Sequence, residues 1–342
     1  MYISASNSTP QKSVLMGVAL TGGWIESSHI DNAINLLGGI PNFVQFYRAF
    51  PKDADLYNRP FTYTSVEAIA GYGAIPVFTW EPFYFPDGST QTHISLEEIK
   101  SGKYDAYMKE HADGFKYCKN ITPFKIVCRL MHEHNLAGTY WWAENDVANI
   151  DADTPGRYIE MYNYIIDFMK NEGVDNVMWA WCPNNDNFIS GGSQSWNTIT
   201  NSWPGIKNVD IVGLDGYSGP TYGATRSIQQ ICEFTNSEAN NQKAIEEIKA
   251  QTNKENPNKT VPFWIFETNW KDTSSPPSAS DKRDWWLDGI DYCRQNGVDA
   301  VCQFYVVSKD QLITTDYYTD KRATPVDNSQ LVDLYPEYVY ST

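Results

Sequence analysis

Eight short runs of near-continuous hydrophobic residues, separated by helix-like and turn-rich stretches, constrain this chain more than any other feature. They are Val14 to Leu20, Pro41 to Phe50, Ala74 to Pro82, Phe124 to Glu133, Asn176 to Asn184, Val209 to Tyr217, Val261 to Thr268 and Ala300 to Val307. A strand that stays apolar on both faces is covered on both faces, the condition of a parallel sheet flanked by helices. Between the runs, Pro155 to Lys170, Gln242 to Lys249 and Asp281 to Gln295 space their apolar residues as helices do. Gly73, Gly173 and Gly297 fall just before runs three, five and eight, where an αβ turn favours glycine at the helix C-cap. The weakest helical stretch follows run five, since Ile189 to Trp203 is rich in Ser, Gly and Asn.

Eight βα units with right-handed crossovers close into a (β/α)8 barrel, the expected fold. The rival is an open doubly wound sheet, which usually carries a Gly-rich phosphate loop after its first strand. GVALTGG does not match that GxGxxG pattern. With no internal repeat, linker or low-complexity segment, residues 1–342 are expected to form a single domain, with 1–13 a polar leader. A 42% hydrophobic composition suffices for one large core.

The formal net charge is −16, from 42 acidic and 26 basic residues. Phosphate backbones and anionic membrane surfaces require the opposite sign, so neither is an expected partner. No apolar run approaches the roughly 20 residues that span a bilayer. MYISASNSTPQKS lacks the basic start and apolar stretch of a signal peptide. The six cysteines show no CxxC spacing, and Cys128, Cys182 and Cys302 sit in strand-like runs where a buried thiol is expected. Many of the 12 Trp, 22 Tyr and 15 Phe must be core, and the surplus suits a cleft where flat rings stack on sugars, two uses that composition alone does not separate.

In a barrel, chemistry gathers at the C-terminal ends of the strands. Those ends read Trp80-Glu81, Arg129 to Glu133, Trp181 to Asn184, Asp215 to Tyr217, Glu267 to Trp270, and the neighbourhood of Tyr305. Carboxylates, amides and aromatics thus share one rim. Two carboxylates flanking one bond are what glycoside hydrolysis needs, and Glu133 and Glu267 end strands four and seven, roughly opposite across the mouth. In a retaining enzyme their carboxyls are expected ~5–5.5 Å apart. One would serve as the acid and the other as the nucleophile. Arg129, His132 and Tyr217 would supply the asymmetry between them. Substrate contacts are expected from Trp80, Glu81, Trp141, Trp142, Trp181, Asn184, Trp270 and Tyr305; Asp215 is given no role. His132 and His134 flank Glu133, but with no Cys or third His nearby no metal site is expected.

The stretches TWEP (Thr79 to Pro82), RLMHEHN (Arg129 to Asn135), WAWCPN (Trp179 to Asn184), VGLDGY (Val212 to Tyr217) and FWIFET (Phe263 to Thr268) resemble family 26 of the glycoside hydrolases, known chiefly for β-mannanases. Spacing and order agree from about Gly71 to Val307, and His before the acid/base glutamate separates this family from most siblings of its clan. The resemblance implies a barrel, no cofactor, Glu133 as acid/base, Glu267 as nucleophile, and Arg129, His132 and Tyr217 around the cleavage point. It also implies a neutral β-linked polysaccharide or oligosaccharide substrate and a secreted or cell-surface location; a monomer is expected. The family usually places a Trp shortly after the acid/base, where this chain offers Tyr140, Trp141 or Trp142. It commonly ends strand eight with Trp, where this chain has Gln303-Phe304-Tyr305. The expected activity is an endo-β-1,4-mannanase. A β-1,3-xylanase, a mixed-linkage β-glucanase, a transglycosylase and a non-catalytic carbohydrate-binding barrel are the alternatives.

Overall fold

The computed structural model describes residues 13–20, 24–51, 61–84, 92–136, 140, 142, 154–186, 198–219, 224–235, 242–258, 260–270, 277–305 and 321–340. Each hydrophobic run contains one parallel strand: β1 (Leu15–Leu20), β2 (Phe43–Ala49), β3 (Ile75–Glu81), β4 (Ile126–Leu130), β5 (Val177–Trp181), β6 (Ile211–Asp215), β7 (Phe263–Thr268) and β8 (Ala300–Tyr305). They close in sequence order, with β8 returning to β1, so the barrel has no free edge and the open-sheet alternative is excluded. A short antiparallel pair, Phe83–Tyr84 with Thr92–His93, extends the loop after β3.

Helices occupy the crossovers: α1 (Ser27–Leu37), α2 (Tyr63–Gly71), α3 (Leu96–Lys100), α4 (Asp105–Tyr117), α5 (Thr154–Asn171), α6 (Ile228–Cys232), α7 (Ala244–Glu255) and α8 (Ala279–Asn296); α9 (Leu331–Leu334) follows β8. Gly73, Gly173 and Gly297 have φ of 64°, 81° and 63°, the left-handed region their placement predicted. Between β5 and β6 the described residues form two 3-10 turns, Ile199–Ser202 and Ile206–Asn208. The preceding Ser- and Gly-rich segment lies outside the described residues, as does the polar leader apart from Ser13.

Strand alternation divides the apolar residues into two cores. Leu15, Phe43, Val77, Val127, Met178, Ile211 and Ala300 face the barrel interior. Val18, Val44, Phe78, Cys128, Trp179, Leu214 and Ile265 face the helices. Each large aliphatic or aromatic side chain buried in these layers contributes about 1.5–3 kcal/mol. The interior is plugged at its N-terminal end, where Leu331, Tyr335 and Tyr338 of the C-terminal segment join the inner core and Trp264 Nε1 donates to the Tyr338 hydroxyl at 2.9 Å. Room for polar groups is therefore left at the opposite end.

β7 breaks the alternation. Its pairings run Ile265 with Leu214, then Glu267 with Asp215, so it carries one extra residue against β6. Against β8, Ile265 pairs with Val301 and Thr268 with Gln303, the same single insertion. Such a bulge re-aims a side chain. Trp264 and Phe266 already point inward; without the bulge, Glu267 would point toward the helices.

Candidate active site

The C-terminal mouth is organised around one buried guanidinium. Arg129 points inward from β4, and its Nη1 donates to Asp215 Oδ2 at 2.6 Å, its Nε to Thr79 Oγ1 at 3.1 Å and its Nη2 to Glu267 Oε1. Both Arg129 and Asp215 are fully buried. Burial pushes the guanidinium pKa down, but Asp215 and Glu267 outweigh it and hold it well above its ordinary value. Arg129 therefore stays a cation.

Glu267 is held by three donors. Besides Arg129, the Tyr47 hydroxyl donates to its Oε1 at 2.6 Å and the Tyr217 hydroxyl donates to Oε2. Tyr47 in turn accepts from Gln45 Nε2 at 2.8 Å and from Arg129 Nη2 at 3.3 Å. Burial, with the charge of Glu267 beside them, pushes both phenols well above their usual range, so they remain donors. A carboxylate surrounded by donors and fixed in direction is suited to nucleophilic attack.

Glu133 has a different setting. It lies just past β4 with φ of 51°, and Met131 has φ of 49°. Left-handed backbone at such residues costs of order 1–3 kcal/mol each and persists where surroundings enforce it. Here Met131 N donates to Trp80 O at 3.0 Å, Glu133 N to Cys182 O at 2.8 Å, and Asn135 clasps the β5 end through Asn184 O and Asn184 N. Asn184 Nδ2 donates to Glu133 Oε1 at 2.7 Å. Burial and then the charge of Glu267 push the Glu133 carboxyl up to about 7, against Asn184, Arg129 and a hydrogen bond with Tyr140. A carboxyl that keeps its proton near neutrality is suited to general acid work.

His132 sits between them, with Nε2 3.9 Å from Glu267 Oε1 and Nδ1 3.8 Å from Glu81 Oε1. Burial, and then Arg129, hold its pKa well below 6.5, so the ring is neutral. Among the described residues, His132, Asp215 and Glu267 bring potential metal-ligand atoms within 4.8 Å of one another. The Arg129 guanidinium already binds both carboxylates, and its charge stands where a cation would be needed. His134 is remote from that set: its ring packs 4.3 Å from Tyr158 and 5.1 Å from Trp181.

The structure thus brings Glu81, Arg129, His132, Glu133, Asn184, Tyr217 and Glu267 together, and buries Trp80, Trp142 and Trp181 in the wall around them. Trp80 and Trp181, read from the sequence as substrate contacts, are fully buried on the helix side of the wall. Trp80 stacks on His111 at 5.1 Å, because Thr79 and Glu81 take the inward positions of β3. Trp142 is also buried; its indole donates to His132 O at 2.6 Å and stacks at 4.5 Å behind Tyr140, whose ring contacts His132. Of Tyr140 and Trp142, it is Tyr140 that stands beside the carboxylates, hydrogen-bonded to Glu133. Trp270 is half-buried after β7, 6.5 Å from Trp285. Trp141 and the side chain of Tyr305 lie outside the described residues. At the end of β8, Phe304 packs edge-on to Tyr47 and Tyr217, the two tyrosines on Glu267. Tyr47 was missed by the sequence reading, although its signal was present: it is the last polar residue of inward parity on β2.

Comparison with known proteins bears on the family and the fold. Over 294 residues the chain is 27% identical to Endoglucanase H of Acetivibrio thermocellus, covering 77% of this chain and 30% of that protein. It is 24% identical over 226 residues to a mannan endo-1,4-beta-mannosidase of Bacillus subtilis, covering 63% of this chain and 54% of that one. The chain therefore spans about a third to a half of these relatives. Its fold matches a GH26 beta-mannanase from Bacteroides ovatus with a TM-score of 0.63 at 15% identity, over 95% of this chain and 93% of that one. The family model of glycosyl hydrolase family 26 matches residues 3–269, and the chain belongs to that family.

Proposed function

We propose that this chain is a retaining endo-β-glycanase that cleaves a neutral β-linked polysaccharide by double displacement, with β-1,4-mannan as its first substrate. One observation carries the reading. Two buried glutamates share one mouth in opposite settings, Glu133 pushed up to about 7 and Glu267 accepting from Arg129, Tyr47 and Tyr217. Glu133 donates its proton to the glycosidic oxygen while Glu267 attacks the anomeric carbon, and the aglycone leaves. Glu133, now a carboxylate, takes a proton from water as that water displaces Glu267 from the sugar.

Mannan is placed first because a relative carries the name mannan endo-1,4-beta-mannosidase, and a glucan second because another is named an endoglucanase. Hydrolysis measured across β-1,4-mannan, β-1,3-xylan and mixed-linkage β-glucan separates these substrates. Glu267→Ala is expected to lower kcat/KM on the preferred one by at least about 10⁴-fold while leaving the fold intact. Normal turnover by that variant would reject the assignment. A carbohydrate-binding barrel without catalysis is disfavoured by the presence of both carboxylates, and a transglycosylase would be distinguished by transfer products from a single oligosaccharide.

A further inference from the structure

Glu81 is a buried carboxyl of the mouth that the mechanism above does not use. Glu81 ends β3 pointing inward, is 8% exposed, and makes no hydrogen bond to another described side chain. His132 Nδ1, an atom that is itself buried with no hydrogen-bond partner, lies 3.8 Å from its Oε1. Across the ring, Nε2 faces Glu267 Oε1 at 3.9 Å. Separations of this size are bridged by a water or close when a ligand binds. His132 thus spans two carboxyls, one of them the proposed nucleophile.

A neutral imidazole carries one ring proton, and the partner of one nitrogen decides what the other can do. If Glu81 is protonated, its O–H donates to Nδ1, the ring proton sits on Nε2, and His132 donates toward Glu267. If Glu81 is ionised, it accepts Nδ1–H, and the lone pair of Nε2 faces Glu267, where it can only accept. The two arrangements differ by one proton on Glu81 and the position of one on the ring.

We propose that Glu81 is a positioning residue that sets the tautomer of His132, and so decides whether His132 donates or accepts beside Glu267 and the sugar bound there. Only the mention of a sugar rests on the function proposed above. The charged and titratable groups facing Glu81 are Arg129, Glu133 and His132 of the β4 end, Tyr140 and Glu267. Burial pushes the Glu81 carboxyl up to about 8; Arg129 pulls it down, and Glu267 and Glu133 raise it further. His132 stays neutral across that range. The donating arrangement therefore holds at neutral pH and is lost as pH rises through about 8.

The test is spectroscopic and needs no substrate. The chain has only five histidines, so isotope-labelled ring nitrogens can be followed by NMR, with His132→Gln identifying the His132 signals. In the parent protein, raising the pH from about 6 to about 10 is expected to move the His132 proton from Nε2 to Nδ1, with a midpoint near 8. In Glu81→Gln, which keeps a side chain of the same size and cannot titrate, one tautomer should persist throughout. A single tautomer in the parent over that range, or the same transition in Glu81→Gln, would overturn the proposal. Neither outcome depends on the chain hydrolysing anything, so a failure here is distinct from a failure of the proposed activity.

Discussion

The two ends of the barrel both carry acidic residues, and they use them in opposite ways. At the N-terminal floor, Asp210 accepts from Trp179 N at 3.0 Å and Asp299 from Phe263 N at 2.8 Å, each tying the residue before one strand to the backbone of its neighbour. With Lys125, Asp175 and Glu337 they line a cavity of about 640 Å³ that lies away from the mouth. At the C-terminal mouth, Asp215 and Glu267 share one arginine, and the carboxyls of Glu81 and Glu133 are pushed up to about 8 and about 7. A carboxylate paired with a backbone amide at the surface stabilises local structure. Carboxyls crowded together out of water hold their protons unequally, which is the asymmetry acid and nucleophile require.

The contrast is sharpest at Arg129. In Arg129→Met, Asp215 and Glu267 are left buried without their counter-charge, which should cost about 3–5 kcal/mol of stability. Activity should fall by at least about 10²-fold as Glu267 loses one of its three donors. Urea denaturation and kcat/KM, measured together, check both. A variant with parental stability would show that the mouth is no more strained electrostatically than the floor.

At Glu133 the expected effect falls on rate and its pH dependence, with a smaller effect on stability. Under the proposed role of general acid it must be protonated in the free enzyme, so kcat/KM should decline as pH rises through about 7. In Glu133→Gln, the rate on an unactivated substrate should drop about 10²–10⁴-fold, and that alkaline limb should disappear. Linkage gives a second sign. Glu133 and Glu81 have raised pKa values in the folded state, so the stability tied to them is present below the unfolded carboxyl range and is lost as pH rises toward about 7 and about 8. Denaturation midpoints that fall between about pH 5 and about pH 8 would agree; rising ones would contradict it.

The floor supplies the smallest change. Tyr338→Phe removes the hydroxyl that accepts from Trp264 Nε1 and should cost about 1 kcal/mol, with kcat/KM unchanged. A large kinetic effect would couple the two ends and weaken the division between them.

The barrel was legible in the sequence because burial on both faces makes a strand apolar at every residue, and all eight runs contain their strands. The cluster was half legible. Arg129, His132, Glu133, Asn184, Tyr217 and Glu267 stand at strand ends in the resembling motifs, whereas Tyr47 stands on a strand that no motif covers. The tryptophans misled for a simple reason: Trp80 and Trp181 neighbour the mouth in sequence, but a period of two turns them to the helices. The inward aim of Glu267 depends on an extra residue in β7 that only the pairing of three strands exposes.

The central claim is that Glu267 forms a bond to sugar. Incubation with an activated 2-deoxy-2-fluoro β-glycoside of the preferred sugar, followed by mass spectrometry of the intact chain and its peptides, tests it most directly. A single covalent adduct on Glu267, absent from Glu267→Ala, is the predicted result. An adduct on Glu133, Glu81 or Asp215 instead, or inactivation without any adduct, would contradict it.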